Sequence, residues 1–395
     1  MKITFCIPSK NNLRYLKNSI TSIKKNSSKE NDIIVYVDAS NDGTLEWLQA
    51  NKVTYLVNET DTPKGIAYAY NRCIEAAETE IVCMFHADMY MGKDFDKNLL
   101  KHLKPKTVVA GTRIEPPLHP EGKEKIIKDF GMYPEDFSEE AFNIFVKQEQ
   151  ELSKDQVTYG IFAPWTCYRS ELLEIGLHDE SFHSYQEDSD IFNRMILSGM
   201  ECIQSRDALV YHLTCRGGQF QDGVEQITSD TAFHQMKDNA ARNYIRKWGS
   251  WVKNDEYQHP IIASKYNVAY IIKNANIQIV QALEPWCDRL YIQDSMQVIT
   301  DSYREKEQSN TKFDLSKRVL ILEYNDPKGE NDIVVEFDAR NFSQQSFNIL
   351  IQLPEIIKES GEVGEFELDI FKIIINSMIE YQNDLIVCKN QTIYN

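Results

Sequence analysis

Apolar residues in the N-terminal part of the chain come in two alternating rhythms. Short unbroken runs (KITFCIPS, DIIVYVD, VTYLVNE, EIVCMFHAD) are separated by stretches whose apolar positions recur at helical spacing (NLRYLKNSITSIKK over 12–25, TLEWLQAN, GIAYAYNRCIEAAE). Unbroken runs suit strands covered on both faces, and the interposed periodicity suits amphipathic helices, so the pattern predicts a mostly parallel sheet wound by helices. A further helix is expected over 94–103, then a strand at TVVAGTRIEP. From Pro116 to about Gln156 the chain turns acidic, aromatic and proline-punctuated, as expected of an insertion with helical pieces. The strand-like GIFAPWTCYRSELLEIG, the loop and helix FHSYQEDSDIFNRMILSG, the strand CIQSRDALVYHLT and a helix over 229–247 complete this part.

The pattern changes near SWVKNDEYQHP, which places a boundary between residues 1–250 and 251–395. Beyond it, NVAYIIKNA and RLYIQ read as strands and SMQVITDSYREKEQ as a helix. RVLILEYNDPKGENDIVVEFDA reads as two strands about an Asp-Pro-Lys-Gly turn. This is the signature of a smaller α+β domain, and it carries no recognisable catalytic motif. DIVVEFDA and FKIIINSMI are read as core.

Charge and cysteines narrow the classes. A formal net charge of −17 disfavours general nucleic-acid binding, which needs clustered Lys and Arg. One anionic ligand is still accommodated where a cation neutralises its phosphates. The eight cysteines have no C-x-x-C pair and no zinc spacing, and are read as reduced core residues. No apolar run is long enough to span a bilayer or to form a signal peptide, so the expectation is a cytoplasmic protein without integral membrane association.

Four stretches place acids or histidines at strand ends or helix starts. They are VYVDASNDGT with Asp38, HADMY with His86 and Asp88, QEDSD with Glu187 and Asp188 ahead of a helix, and LVYHLT with His212. Each alone is also what a turn, a helix cap or a satisfied core histidine requires. Together they line the carboxyl ends of strands, where open α/β sheets bind ligands.

In order and spacing these residues resemble the family 2 glycosyltransferases. The resemblance covers about residues 1–250: an opening strand Ile3–Ser9, Asp38–Thr44 for the acid and S-x-D-G-T, Gly65–Asn71 for G-x-A-x-A-x-N, His86–Asp88 for D-x-D, Glu187–Asp188 for E-D, and His212. YHLTCRGG and YIRKWG also look like stretches of related bacterial and viral transferases. The resemblance implies a GT-A (Rossmann-like) α/β fold, with a mixed, mostly parallel sheet flanked by helices ahead of the smaller α+β domain. It implies an inverting, metal-dependent transfer from a nucleotide-diphosphate sugar, most simply a UDP-sugar, to a hydroxyl of a glycan or other acceptor. Asp88 and His212 would then hold Mn2+ (or Mg2+), imidazole favouring the softer ion. Asp188 would deprotonate the acceptor, with Glu187 contacting the acceptor or positioning the site. Pro8, Ser9, Lys10, Asp38, Ser40, Gly65, Asn71, Arg72, His86, Ala87 and Trp165 would contact or border the nucleotide sugar. The sequence departs from the family pattern twice. Val37-Asp38 stands where two acids are usual, and His86 replaces the first Asp of D-x-D.

Two other classes fit parts of the pattern. A nucleotidyltransferase should show a glycine-rich basic loop near the start, where PSKNNLRY has no glycine. A non-catalytic carbohydrate-binding or assembly protein on the same scaffold should have lost the base, whereas Glu187-Asp188 is present. Residues 251–395 are expected to bind the acceptor or to form a homo-oligomer.

Overall fold

The computed structural model describes residues 1–214, 220–221, 224–225, 231–381 and 383–388. Cα packing divides the chain into one unit of Met1–His234 with Asn254–Pro260 and a second of Gln235–Lys253 with Ile261–Asn395.

The first unit opens with strand β1 (Ile3–Ser9), helix α1 (Leu13–Asn26), β2 (Asp32–Val37), α2 (Thr44–Ala50), β3 (Thr54–Val57), α3 (Ile66–Ala76) and β4 (Ile81–Met84). These are the alternating elements that the apolar pattern predicts. β1, β2 and β4 are buried along nearly their whole length, and each fully buried Ile or Phe contributes about 1.5–3 kcal/mol. Helix α1 presents Leu16, Ile20 and Ile23 to the core and ends on Lys24 and Lys25, which complement its dipole. Its first amide, Leu13 N, donates to Asp42 Oδ2 at 2.8 Å, so the Ser-Asn-Asp-Gly-Thr turn caps a helix from the neighbouring loop.

Next come β5 (Met89–Met91), α4 (Phe95–Leu100), β6 (Thr107–Glu115), β7 (Lys125–Ile127), α5 (Glu139–Leu152), β8 (Val157–Thr158), β9 (Trp165–Tyr168), α6 (Arg169–Glu174), α7 (Glu187–Leu197) and β10 (Glu201–His212). The sheet runs β3-β2-β1-β4-β9-β6-β10-β5, with β7 on β6 and β8 on β10. β1 pairs in parallel with β2 and β4, and β6 with β10, while β9 and β5 run antiparallel to their neighbours. A two-stranded ribbon of β11 (Phe220–Gln221) and β12 (Val224–Glu225) follows, then α8 (Thr231–Trp248), which holds the YIRKWG stretch and from Gln235 onward belongs to the second unit. In YHLTCRGG, Cys215 and its successors lie outside the described residues. Every described cysteine is buried, and no helix among the described residues is long and apolar enough to cross a membrane.

The second unit is built on β13 (Val268–Lys273), α9 (Ile277–Leu283), β14 (Arg289–Ile292), α10 (Gln297–Glu307), α11 (Leu315–Arg318), β15 (Val319–Ile321), α12 (Pro327–Glu330), β16 (Ile333–Asp338), α13 (Gln344–Ser360), β17 (Gly364–Leu368) and β18 (Phe371–Ile375). Its sheet order is β15-β14-β13-β16-β18-β17. DIVVEFDA, read as a strand, is β16, and the apolar FKIIINSMI read as core contains β18; both strands are largely buried.

Two local expectations are corrected. Asp-Pro-Lys-Gly is not a turn between paired strands: Asp326 caps α12 by accepting from Lys328 N at 3.1 Å, with Pro327 in the first helical turn. β15 and β16 instead join opposite sides of the β13–β14 pair. Nor does EIVCMFHAD continue as one strand to Asp88. The strand ends at Met84, the chain turns through His86–Asp88, and β5 starts back antiparallel to β10.

Candidate active site

That reversal builds the site. β5 pairs with β10 so that Met89 faces His212, and Leu213 N donates to Asp88 O at 3.0 Å. Asp88 is thereby held beside the last residue of β10. On the other side of β10, the register with β6 shifts between Gln204 and Leu209 and ends with Tyr211 opposite Ile114. The next residues along are His212 and Glu115. One strand end thus carries an imidazole between two carboxylates: His212 Nε2 lies 3.5 Å from Asp88 Oδ1 and Nδ1 lies 2.9 Å from Glu115 Oε1.

His86 completes the group. Its ring centroid is 5.6 Å from that of His212, and one ligand atom each from His86, Asp88 and His212 lie within 4.8 Å of one another. The electrostatics favour positive charge here. Burial alone would lower the His212 pKa, yet Asp88 and Glu115 outweigh it and raise it to about 9. Burial would raise the Asp88 carboxyl, but His212 and His86 hold it down at about 2. Glu115 also has burial overcome by His212, Arg113 and Lys125, and lies well below the usual carboxylate range. His86 is pushed down to about 4, chiefly by burial, which keeps its imidazole neutral and able to ligate. A place where two carboxylates draw a proton onto an imidazole also suits a divalent cation, and the donor set of two imidazoles and a carboxylate fits one.

Glu187 and Asp188 open α7. Tyr185 and Gln186 just before them both have positive φ, 74° and 67°, a backbone strain that sets how the two acids leave the loop. Burial first, then Asp188, raises the Glu187 pKa, and its buried Oε2 has no hydrogen-bond partner. Asp188 is raised as well, chiefly by burial, while Oδ1 accepts from Ser189 N at 2.7 Å. Helix α7 is held from below by Arg194, which pairs with Asp190 at 2.8 Å and donates to Ile175 O at 2.8 Å.

Other sequence-singled residues are tied into the loops that frame this edge. Asp38 accepts from Lys64 N at 2.9 Å, Gly65 N at 2.9 Å and Asn58 Nδ2 at 2.8 Å. Ser40 Oγ accepts from Asn11 N at 3.0 Å and donates to Ser9 O at 3.4 Å. Pro8 and Ser9 end β1, where they pair with Tyr36 and Val37, and Lys10 is exposed. Asn71 is fully buried and clamps the segment before α7, donating to His178 O at 2.9 Å and accepting from His178 N at 2.9 Å. Arg72 pairs with Glu180 at 3.2 Å and lies over Tyr68. Ala87 is buried in the turn between His86 and Asp88, and Trp165 is buried against Phe192 and His178.

Glu115 and Arg113 went unread in the sequence, because TRIEP looks there like the end of an ordinary strand. Spacing two on a strand puts both on one face. Arg113 lies 3.5 Å from Glu115 and 3.7 Å from Glu124, and its charge is felt at both His86 and Asp188.

Residues 4–174 match the family model described as glycosyl transferase family 2. This stretch is similar to the family 2 glycosyl transferases. The mixed, mostly parallel sheet flanked by helices is the arrangement expected from the sequence, and the site above lies partly in the matched stretch and partly in α7 and β10 beyond it. The chain is similar to a curated relative, the uncharacterized glycosyltransferase YfnE of Bacillus subtilis (strain 168), at 23% identity over 256 residues, or 54% of this chain. The chain spans 64% of that relative's length. Among solved structures the chain is similar to S. aureus TarS 1-349, with a TM-score of 0.39, 17% identity, and 54% of this chain and 60% of that one covered. It is similar also to the mannosyltransferase PcManGT from Pyrobaculum calidifontis in complex with GDP-Man and Mn2+, with a TM-score of 0.41, 17% identity, and 62% and 63% covered.

Proposed function

We propose that the protein is an inverting, metal-dependent glycosyltransferase that moves a sugar from a nucleotide-diphosphate donor, UDP-linked in the simplest case, to an acceptor hydroxyl. The observation that carries the reading is the His86, Asp88 and His212 group at the carboxyl edge of a sheet whose residues 4–174 match the family 2 model. His86, Asp88 and His212 would hold the cation, and two imidazoles favour Mn2+ over Mg2+. Bound there, the cation supplies positive charge to the leaving diphosphate.

The chain's own residues do the rest. Asp188, its basicity raised by burial, takes the proton from the acceptor hydroxyl as that oxygen bonds to the anomeric carbon and the bond to the diphosphate breaks. Glu187, kept protonated by burial and by its neighbour, leaves Asp188 as the ionised member of the pair. Arg113 adds positive charge between the metal group and the base. The edge formed by Pro8–Lys10, Asp38, Ser40 and Gly65 faces the nucleotide, with Asn71 and Trp165 shaping its support. The second unit serves acceptor binding or self-association.

The test is hydrolysis of a panel of nucleotide sugars by the full chain, with and without Mn2+, beside Asp88→Ala. Mn2+-dependent release of one nucleotide diphosphate, abolished in the variant, is expected. Calorimetry showing no binding of any donor would overturn the reading.

A further inference from the structure

We infer that Glu115 is the positioning residue of the metal centre: it orients the His212 imidazole so that Nε2, and not Nδ1, faces the cation. The inference rests on the metal-dependent reading above and concerns a residue outside the motifs that carry it. Three observations converge on this carboxylate. Glu115 is 2% exposed, so its charge must be compensated locally. Its Oε1 lies 2.9 Å from His212 Nδ1, within hydrogen-bond reach, which leaves Nε2 as the nitrogen turned toward Asp88 at 3.5 Å. Its Oε2 takes Lys125 Nζ at 3.1 Å, and Arg113 stands 3.5 Å from Oε1. Glu115 is therefore held from β7 and from its own strand before it touches the histidine, and it does not need the imidazole for its own neutralisation.

Two cations where one would compensate the carboxylate make it a fixed support for the ring. A ligating histidine whose second nitrogen is anchored to a carboxylate has its tautomer and ring plane fixed and its basicity raised, and loss of such a partner typically weakens metal binding about 10–100-fold. The β6–β10 register delivers the arrangement. The irregularity between Gln204 and Leu209 brings Tyr211 opposite Ile114, so the next step along both strands aligns His212 with Glu115.

The experiment is Mn2+ titration of the full chain by calorimetry, with electron spin echo modulation of the bound ion to detect imidazole nitrogen, for wild type, Glu115→Gln, Glu115→Asp, Lys125→Met and Asp88→Ala. Circular dichroism checks that each variant is folded. Glu115→Gln should weaken Mn2+ binding about 10–100-fold and alter the nitrogen modulation. Lys125→Met should weaken it less, and Glu115→Asp should recover part of the loss. A folded Glu115→Gln that binds Mn2+ with wild-type affinity and modulation overturns the inference while leaving the metal-dependent reading intact. Wild type that binds no Mn2+, or binds it equally well with Asp88→Ala, overturns both. If Glu115→Gln does not fold, Lys125→Met decides: unchanged affinity and modulation overturn the positioning role.

Discussion

Glu187 and Asp188 are neighbouring carboxylates at one helix start, and their coupling has a measurable sign. Burial and Asp188 raise the Glu187 pKa in the folded chain, so between the unfolded and folded values the native state binds the extra proton. Stability contributed by that group is fully present below the unfolded value, near pH 4.3, and is lost as pH rises through the folded value. Glu187→Gln imitates the protonated form at every pH. Its thermal midpoint should exceed that of wild type, and the gap should be wider at pH 8 than at pH 5, with a gain of about 1–2 kcal/mol at the upper end. Midpoints that run parallel across this range would show that Glu187 is ionised in the native protein. Asp188→Asn tests the partner's role. It should leave Mn2+ affinity within about twofold while lowering transfer by about 10²–10⁴-fold, the usual contribution of a general base. Retained transfer by the folded variant would remove Asp188 from the mechanism.

At the level of elements, the loop before α7 depends on its contact with the start of α3. Gly65 has φ +89° and an added Cβ would lie 2.0 Å from His183 O, the same oxygen that accepts from Ile66 N at 2.9 Å. Gly65→Ala should therefore cost about 3 kcal/mol or more, measured by the denaturant midpoint at unchanged slope. A cost below about 0.5 kcal/mol would mean that the loop does not rest on α3. This contact also shows what the sequence made legible. GIAYAYNRC announces a helix by its period, and Gly65 and Asn71 fall at its motif positions, but nothing local shows that Asn71 clamps His178 from 107 residues away. The strands β1, β2 and β4 were readable because unbroken apolar runs have few other uses. β5 was not, since three residues carry no period, and its pairing with β10 is what sets Asp88 beside His212. Glu115 was hidden for the same reason: its partner is chosen by register, which follows from an irregularity in β10 and not from any spacing along the chain.

For the whole molecule, Glu187 in the first unit and Glu284 in the second should respond to pH in opposite directions. In the second unit, Glu284 is fully buried between Arg246 at 2.7 Å and Arg318 at 2.6 Å, with Tyr303 Oη donating to it at 2.7 Å. Burial would raise its pKa, but the two guanidiniums hold it well below the usual carboxylate range. Its stabilisation is thus present above the unfolded value and is lost as pH falls toward the folded one, the reverse of Glu187. Arg246 comes from α8, Glu284 follows α9 and Arg318 ends α11, so the network joins elements that no strand pairing connects. Glu284→Ala would take the shared carboxylate from Arg318 and leave Arg246 with Glu307 alone, and should cost about 3–5 kcal/mol, well above a surface substitution. Glu284→Gln keeps the shape, removes the charge, and should cost less while flattening the acid limb of the stability curve. Calorimetric scans from about pH 2 to about pH 8 on wild type, Glu187→Gln and Glu284→Gln separate the two effects, because the first variant changes the alkaline limb and the second the acid limb. An acid limb unchanged in Glu284→Gln would mean that acid destabilisation arises elsewhere among the carboxylates of this strongly acidic chain.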